Sequence, residues 1–79
     1  MTKSEIKVLE DRLNYWQDAV ALAHALDEGS KGYIERSYAR INQILEIIDL
    51  LGLRYQTEPQ RVNYITVKYT RTHYTVFSD

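Results

Sequence analysis

The chain has 79 residues, of which 44% are hydrophobic and 27% are charged, and its formal net charge is -1. This length suffices for one small domain, and the composition is that of a folded protein rather than a disordered tail. The absence of cysteine excludes disulfide bonds and thiolate zinc sites, so packing or self-association must stabilise the fold. No apolar run reaches the length of a membrane span and the N-terminus does not resemble a signal peptide, so we expect a cytoplasmic protein without a membrane partner.

The first helix is predicted over about residues 3–28. Thr2 and Glu5 have the spacing of a capping box, which marks its start. A first apolar stripe, recurring at steps of three and four, is predicted to face the core: Ile6, Leu9, Leu13, Trp16, Val20 and Ala23. A second apolar set flanks that stripe, and we expect it either to lie under a sheet or to form an exposed surface. Its members are Val8, Tyr15, Ala19, Leu22 and Leu26, of which Val8, Tyr15, Leu22 and Leu26 are candidates for self-association in a homodimer.

A second helix is predicted over about residues 31–51, forming an antiparallel hairpin with the first. Gly29 and Ser30 suit a C-cap and the next N-cap, and Gly52 ends the second helix. Its core stripe is predicted to contain Ile34, Tyr38, Ile41, Leu45 and Ile48, with Ile44 and Leu51 beside them. Ile47 and Leu50 point away from this stripe, so we expect the C-terminal segment to cover the last two turns.

The β region is predicted over about residues 61–77, where Val, Ile, Thr and Tyr dominate. It forms either a small antiparallel hairpin that turns through residues 69–72 or one long bent strand, packed on the helices. A short strand over residues 53–55, before a turn at residues 58–60, is a further option. The predicted fold class is therefore α+β. A long strand leaves an edge that a second copy or another protein can pair.

No catalytic, metal or cofactor site is predicted. His24 and His73 are the only histidines and lack the spacing of a metal site. Neighbouring carboxylates such as Glu10 and Asp11 diverge on a helix, and the chain has no phosphate-binding glycine motif and no nucleophile elbow. We therefore expect a protein that is not an enzyme.

Tyrosine mixed with basic residues near the C-terminus is typical of protein-binding surfaces, although strand propensity alone also explains it. The candidate partner-binding residues are Tyr64, Lys68, Tyr69, Arg71 and Tyr74. An acidic strip that competes for a basic groove is a further candidate, with Glu10, Asp11 and Asp18. A short cysteine-free chain with a helical hairpin and a Tyr/Thr-rich strand region resembles accessory proteins of phages and mobile elements, among them the anti-CRISPR proteins. That resemblance, which carries no shared motif, implies an inhibitor that occupies a surface of a larger host protein or protein–nucleic acid complex.

The charge distribution leaves an alternative open. Residues 1–51 carry six basic and nine acidic side chains, a net charge of -3, whereas residues 52–79 carry four basic and two acidic ones, a net charge of +2. A small dimeric nucleic-acid-binding regulator would use the basic residues of this second part, Arg54, Arg61, Lys68 and Arg71. Direct nucleic-acid binding is the less favoured hypothesis because the net charge is slightly negative. A third possibility is a structural subunit of a larger assembly.

Overall fold

Two helices are followed by a β-hairpin in the computed structural model, which describes residues 1–26 and 31–78. The elements are α1 (Lys3–Leu26), α2 (Lys31–Leu50), β1 (Arg54–Tyr64) and β2 (Val67–Phe77). The two strands form an antiparallel sheet that packs on the helices, which confirms the predicted α+β class. α1 is the central element, since it packs against both α2 and β2. The predicted caps at Gly29 and Ser30, and the predicted end of the first helix near residue 28, lie outside the described residues.

The start and the core face of α1 agree with the sequence pattern. The backbone N–H of Thr2 donates to Glu5 Oε1 at 3.1 Å, and the N–H of Glu5 donates to Thr2 Oγ1 at 3.2 Å. This reciprocal pair is the predicted capping box. The residues of the first stripe that are buried in the core are Ile6, Leu13 and Val20, with Leu9 and Trp16 packed against them.

Helix α2 ends at the glycine that the sequence predicted, Gly52, and the end is a Schellman motif. Leu53 N–H donates to Ile48 O and Gly52 N–H donates to Asp49 O, both at 3.0 Å. Gly52 has a φ of 70°, a conformation that glycine adopts without a steric penalty. The sequence therefore marked the end of this helix correctly.

The buried face of α2 is rotated slightly from the predicted stripe. The buried residues are Ser37, Ile41, Ile44 and Ile48. Tyr38 is 45% exposed, so its assignment to the core was wrong. Ser37 takes the core position because its hydroxyl donates to Tyr33 O at 2.9 Å, which satisfies the only polar group of a small side chain.

The last two turns of α2 are not covered in the way the sequence suggested. Ile47, Leu50 and Leu51 are 43%, 83% and 48% exposed. The C-terminal strand instead docks on α1, where polar side chains hydrogen-bond to its backbone. No helix in the described part of the chain combines the length and the apolar character needed to cross a bilayer.

The hairpin is longer than predicted, and its turn lies elsewhere. The register runs from Arg54 opposite Phe77 to Tyr64 opposite Val67, so Ile65 and Thr66 form a two-residue turn. The predicted β start near residue 61, the turn through residues 69–72 and the turn at residues 58–60 were therefore wrong.

Pro59 lies inside β1 because of the direction in which alternate backbone groups point. Tyr74 and Val76 direct their N–H groups away from β1, toward α1. In an antiparallel ladder the backbone N–H of the residue opposite each of them also points outward, and Thr57 is opposite Tyr74. Pro59 is two positions beyond Thr57 on the same strand, so its backbone nitrogen faces the same outer side. A proline there removes a donor from the solvent side and breaks no bond between the strands.

Candidate functional site

Polar side chains of α1 close the outer edge of β2. Asn14 Nδ2 donates to Tyr74 O at 2.9 Å, and Tyr74 N–H donates to Asn14 Oδ1 at 2.7 Å. One turn earlier on the helix, Glu10 Oε1 accepts the N–H of Val76 at 2.9 Å. The amide and the carboxylate thus replace the neighbouring strand that this edge lacks. The hairpin is consequently held in one position on α1.

Asp18 fixes the part of β2 that lies nearer the turn. Its Oδ1 accepts hydrogen bonds from Tyr69 OH and from Arg71 Nη1, each at 2.6 Å. Arg71 Nε also donates to Gln60 Oε1 across the sheet, at 2.8 Å. Burial and the hydrogen bond to Asp18 raise the pKa of Tyr69 to about 12. Tyr69 and Arg71, two of the candidate contacts, therefore serve inside the chain as anchors of the hairpin.

Tyr74, a third candidate contact, is a core residue. It is 8% exposed, and its hydroxyl accepts a hydrogen bond from Gln17 Nε2 at 3.0 Å. Its ring lies against Tyr55, with the centroids 5.5 Å apart. This burial removes Tyr74 from the predicted contact surface.

The predicted acidic strip is largely engaged as well. Glu10 binds Lys7 Nζ at 2.8 Å in addition to the backbone of Val76. Burial acts to raise the pKa of Glu10, but the hydrogen bonds from Lys7 and Val76 outweigh it and hold that pKa below its ordinary 4.5. Asp11, 3.1 Å from the same lysine, keeps a side chain that is 62% exposed. With Asp18 also occupied, the strip has little free carboxylate to offer a basic groove.

The hairpin tip, defined as residues 61–68, is the exposed part of the predicted surface. Tyr64 is 48% exposed, and Lys68 and Arg61 are exposed too. Ile65 is 85% exposed and has a φ of 55°, in the left-handed region. The tip contains two basic side chains and no acidic one.

Sequence reasoning missed Ile65 as a site residue and placed it on a strand. The sequence carried no signal for this turn, since the midpoint of residues 54–77 at Ile65 and Thr66 is apparent only once the strand register is known. Turn composition did not reveal them, because neither residue is one that turns favour.

The second apolar set of α1 forms an outer surface of the helix. Val8 and Tyr15 are 55% and 64% exposed, while Leu22 and Leu26 are half-buried. The sheet does not cover this set, because β2 docks on the polar side of α1 instead. With Tyr33 of α2, part of the set borders an open groove of about 330 Å³, here called the outer groove. Its lining residues are Tyr15, Asp18, Ala19, Leu22, Ala23, Leu26 and Tyr33.

Metal-binding chemistry depends on how the histidine and carboxylate side chains are grouped. His73 Nδ1 lies 3.8 Å from Glu58 Oε1 and is buried without a hydrogen-bond partner. Among the described residues, no group of three or more His, Cys, Asp or Glu side chains is arranged to hold a metal ion. Comparison of the chain with family models, curated proteins and solved structures finds no match.

Proposed function

We propose that the chain is a non-enzymatic protein-binding module whose hairpin tip enters a surface of a larger protein or protein–nucleic acid complex. The observation that supports this proposal is the state of Ile65, a β-branched residue held at a φ of 55° with 85% of its surface exposed. Such a conformation costs about 1–3 kcal/mol, and here no burial within the chain offsets it. A strained, exposed apolar side chain at a protruding tip is suited to insertion into an apolar pocket of a partner.

The residues beside Ile65 fit the same role. Tyr64 supplies a partly exposed ring, and Lys68 and Arg61 supply positive charge in a tip that contains no acidic residue. Tyrosine and arginine are enriched among the residues that dominate binding energy at protein interfaces. The charge of the tip favours a partner pocket with an acidic rim.

The attachment of the hairpin to α1 also supports the proposal. The bonds from Asn14 to Tyr74 and from Asp18 to Tyr69 and Arg71 fix the strand before any partner binds. A tip fixed in advance loses less conformational entropy on binding than a mobile loop. The module then acts by steric occupation, in the manner that its resemblance to phage accessory inhibitors implies.

Nucleic-acid binding is the second candidate function. It is favoured by a shallow polar groove of about 450 Å³ on the hairpin, lined by Arg61, Val62, Asn63, Lys68, Tyr69 and Thr70. The engagement of Arg71 by Asp18 reduces the basic footprint available to phosphates. A protein partner therefore remains our first proposal.

Capture of partners from lysate of the source or host cell, with and without nuclease, tests the two functions. We expect the tagged chain to retain a large protein after nuclease treatment, and Ile65→Asn to lose it. Leu50→Gln is the matched control, because Leu50 is equally exposed, at 83%, but lies on α2. Equal retention by Ile65→Asn would contradict the role of the tip, and recovery that vanishes with nuclease would favour nucleic acid.

A further inference from the structure

The two faces of the hairpin differ near the tip. Tyr69 and Arg71 direct their side chains to Asp18 of α1. Because side chains alternate along a strand, the residues between and beside them point to the other face, on which Tyr74 is buried in the core. Beyond the core, every residue of this second face is exposed. These residues, here called the basic face, are Pro59, Arg61, Asn63, Lys68, Thr70 and Thr72.

The basic face carries two cations to which the chain supplies no counter-charge. In the part of the chain that the structure describes, neither Arg61 nor Lys68 forms an ion pair. Glu58, the acidic residue nearest to both in sequence, points to the opposite face with its cross-strand neighbour. The two cations repel each other in the isolated chain, and an anion bound between them would relieve that repulsion.

Neutral donors lie beside these charges. Asn63 is opposite Lys68 in the strand register. Thr70 is opposite Arg61. All four residues border the shallow polar groove of about 450 Å³ on the hairpin. A guanidinium, an ammonium, an amide and a hydroxyl on one surface are suited to binding oxyanions.

The basic face fits the carboxylates of a protein better than the phosphates of a nucleic acid. Proteins that bind single strands stack the bases on aromatic rings, and none of the six residues of the basic face is aromatic. The tyrosines nearby, Tyr64 and Tyr69, belong to the opposite face. Two cations also neutralise few phosphates, and phosphate contacts dominate affinity for nucleic acid.

The spacing of the two cations indicates how the carboxylates should be arranged. Arg61 is opposite Thr70, and Lys68 lies two positions before Thr70, so the cations are diagonal neighbours on one face. Such neighbours lie about 7–8 Å apart. In an extended chain, alternate side chains point the same way and lie about 7 Å apart. Acidic residues at alternate positions therefore match the two cations, whereas adjacent acidic residues point to opposite sides.

We infer that the basic face binds an extended segment of the partner protein that carries acidic residues at alternate positions. Lys68 lies two positions after Thr66 of the turn, so this segment borders the pocket that accepts Ile65. The inference rests on the proposed function of the tip and adds the chemistry of the partner surface beside that pocket. The ion pairs select and orient the partner, while Ile65 supplies the apolar contact.

Two isomeric peptides, titrated at low salt into the isotopically labelled chain and followed by NMR, test the spacing. Acetyl-Thr-Glu-Thr-Glu-Thr-amide has alternating acids, and acetyl-Thr-Glu-Glu-Thr-Thr-amide has the same composition and charge with adjacent acids. We expect the alternating peptide to shift the amide signals of Asn63, Lys68 and Thr70. It should bind about threefold more tightly than its isomer, the effect of one additional exposed ion pair. Equal affinity for the two isomers, or no shift at millimolar peptide, overturns the inference.

Paired charge replacements test the location of the peptide. Arg61→Gln combined with Lys68→Gln should abolish the shifts. Arg36→Gln combined with Arg40→Gln removes the same charge from exposed positions of α2 and should leave them unchanged. Shifts that survive the first pair, or that the second pair also abolishes, overturn the inference. A short oligothymidine that binds more tightly than the alternating peptide overturns the choice of a protein segment and favours nucleic acid.

Cross-linking of the captured complex separates this inference from the proposed function. Carbodiimide joins a lysine amine to a carboxylate in direct contact, and we expect it to attach Lys68, rather than Lys3 or Lys31 on the helices, to an acidic side chain of the partner. Attachment only at the helix lysines overturns the inference. If Ile65→Asn loses the partner but the peptides bind equally, the tip still docks and the acidic segment is wrong. If the alternating peptide binds but Ile65→Asn retains the partner, the docking role of the tip is wrong, and with it the placement of the segment beside an Ile65 pocket.

Discussion

Replacing Ile65 by asparagine is expected to raise the free energy of unfolding by about 1 kcal/mol. Ile65 has a φ of 55°, where an L-residue with a Cβ loses about 1–2 kcal/mol, and branching at that atom adds to the crowding. Asparagine tolerates this region and is favoured in two-residue hairpin turns. The isoleucine side chain is 85% exposed, so its removal sacrifices little buried apolar area. Relief of strain therefore dominates the change.

Urea and thermal unfolding measure this effect, at a protein concentration low enough for the chain to be monomeric. A gain of 1 kcal/mol corresponds to a rise in Tm of about 4–8 °C for a domain of this size. Thr66→Asn is the matched control, because Thr66 lies in the same turn but has no positive φ. We expect no gain from it. An Ile65→Asn variant that is no more stable than the unaltered chain would refute the assignment of backbone strain to this residue.

Three further predictions concern the contacts that dock β2 on α1. Asn14→Ala should lower the free energy of unfolding by about 1–3 kcal/mol, measured in urea, because the N–H and C=O of Tyr74 lose their partner. The pKa of Tyr69 is raised to about 12, so the interactions of its protonated hydroxyl stabilise the fold fully below pH 10, and this contribution disappears as the pH rises through 12. Tyrosinate absorbance should show the raised pKa, and Tyr69→Phe should remove this dependence of stability on pH. The lowered pKa of Glu10 stabilises the fold above pH 4.5 and is lost on acidification, so Glu10→Gln should flatten the acid unfolding curve. An Asn14→Ala variant that is as stable as the unaltered chain would contradict the contact with Tyr74. A stability that depends on pH in the same way in Tyr69→Phe at alkaline pH, or in Glu10→Gln at acid pH, would contradict the other two contacts.

The helices were predictable because their signals are local. The capping box of Thr2 and Glu5 and the glycine at position 52 depend on residues within about two turns of one another. The stripe through Leu13 repeats at steps of three and four within one helix, so each step is also local. The sequence did not predict that Ser37 is buried, because serine is polar and is mostly found on protein surfaces. Only the hydrogen bond from its hydroxyl to Tyr33 O makes a buried position acceptable.

The β-hairpin was placed wrongly because its extent depends on contacts that are distant in sequence. Pro59 favours a turn when read locally, and nothing near it shows that its missing N–H points to solvent. That direction follows from the bonds of Asn14 and Glu10 to β2, which span 60 and 66 residues. The turn at Ile65 and Thr66 contains no residue typical of turns.

The candidate surface was only partly predictable for a related reason. Composition indicates that tyrosine and arginine are available, but it does not say which of them finds a partner inside the chain. Tyr69 and Arg71 find Asp18, more than 50 positions away, while Tyr64 and Lys68 remain exposed at the tip. Val8 and Tyr15 are exposed, as one of the two expectations for the second apolar set required.

The two edges of the hairpin have a consequence for the behaviour of the chain at high concentration. Strands rich in Val, Thr and Tyr are prone to add further strands, and runaway addition produces fibrils. Here Asn14 and Glu10 occupy hydrogen-bonding groups of one edge, while Pro59 interrupts the donors of the other. Both edges of the hairpin are therefore interrupted as templates for the addition of a further strand, although the strands themselves have a composition that favours it.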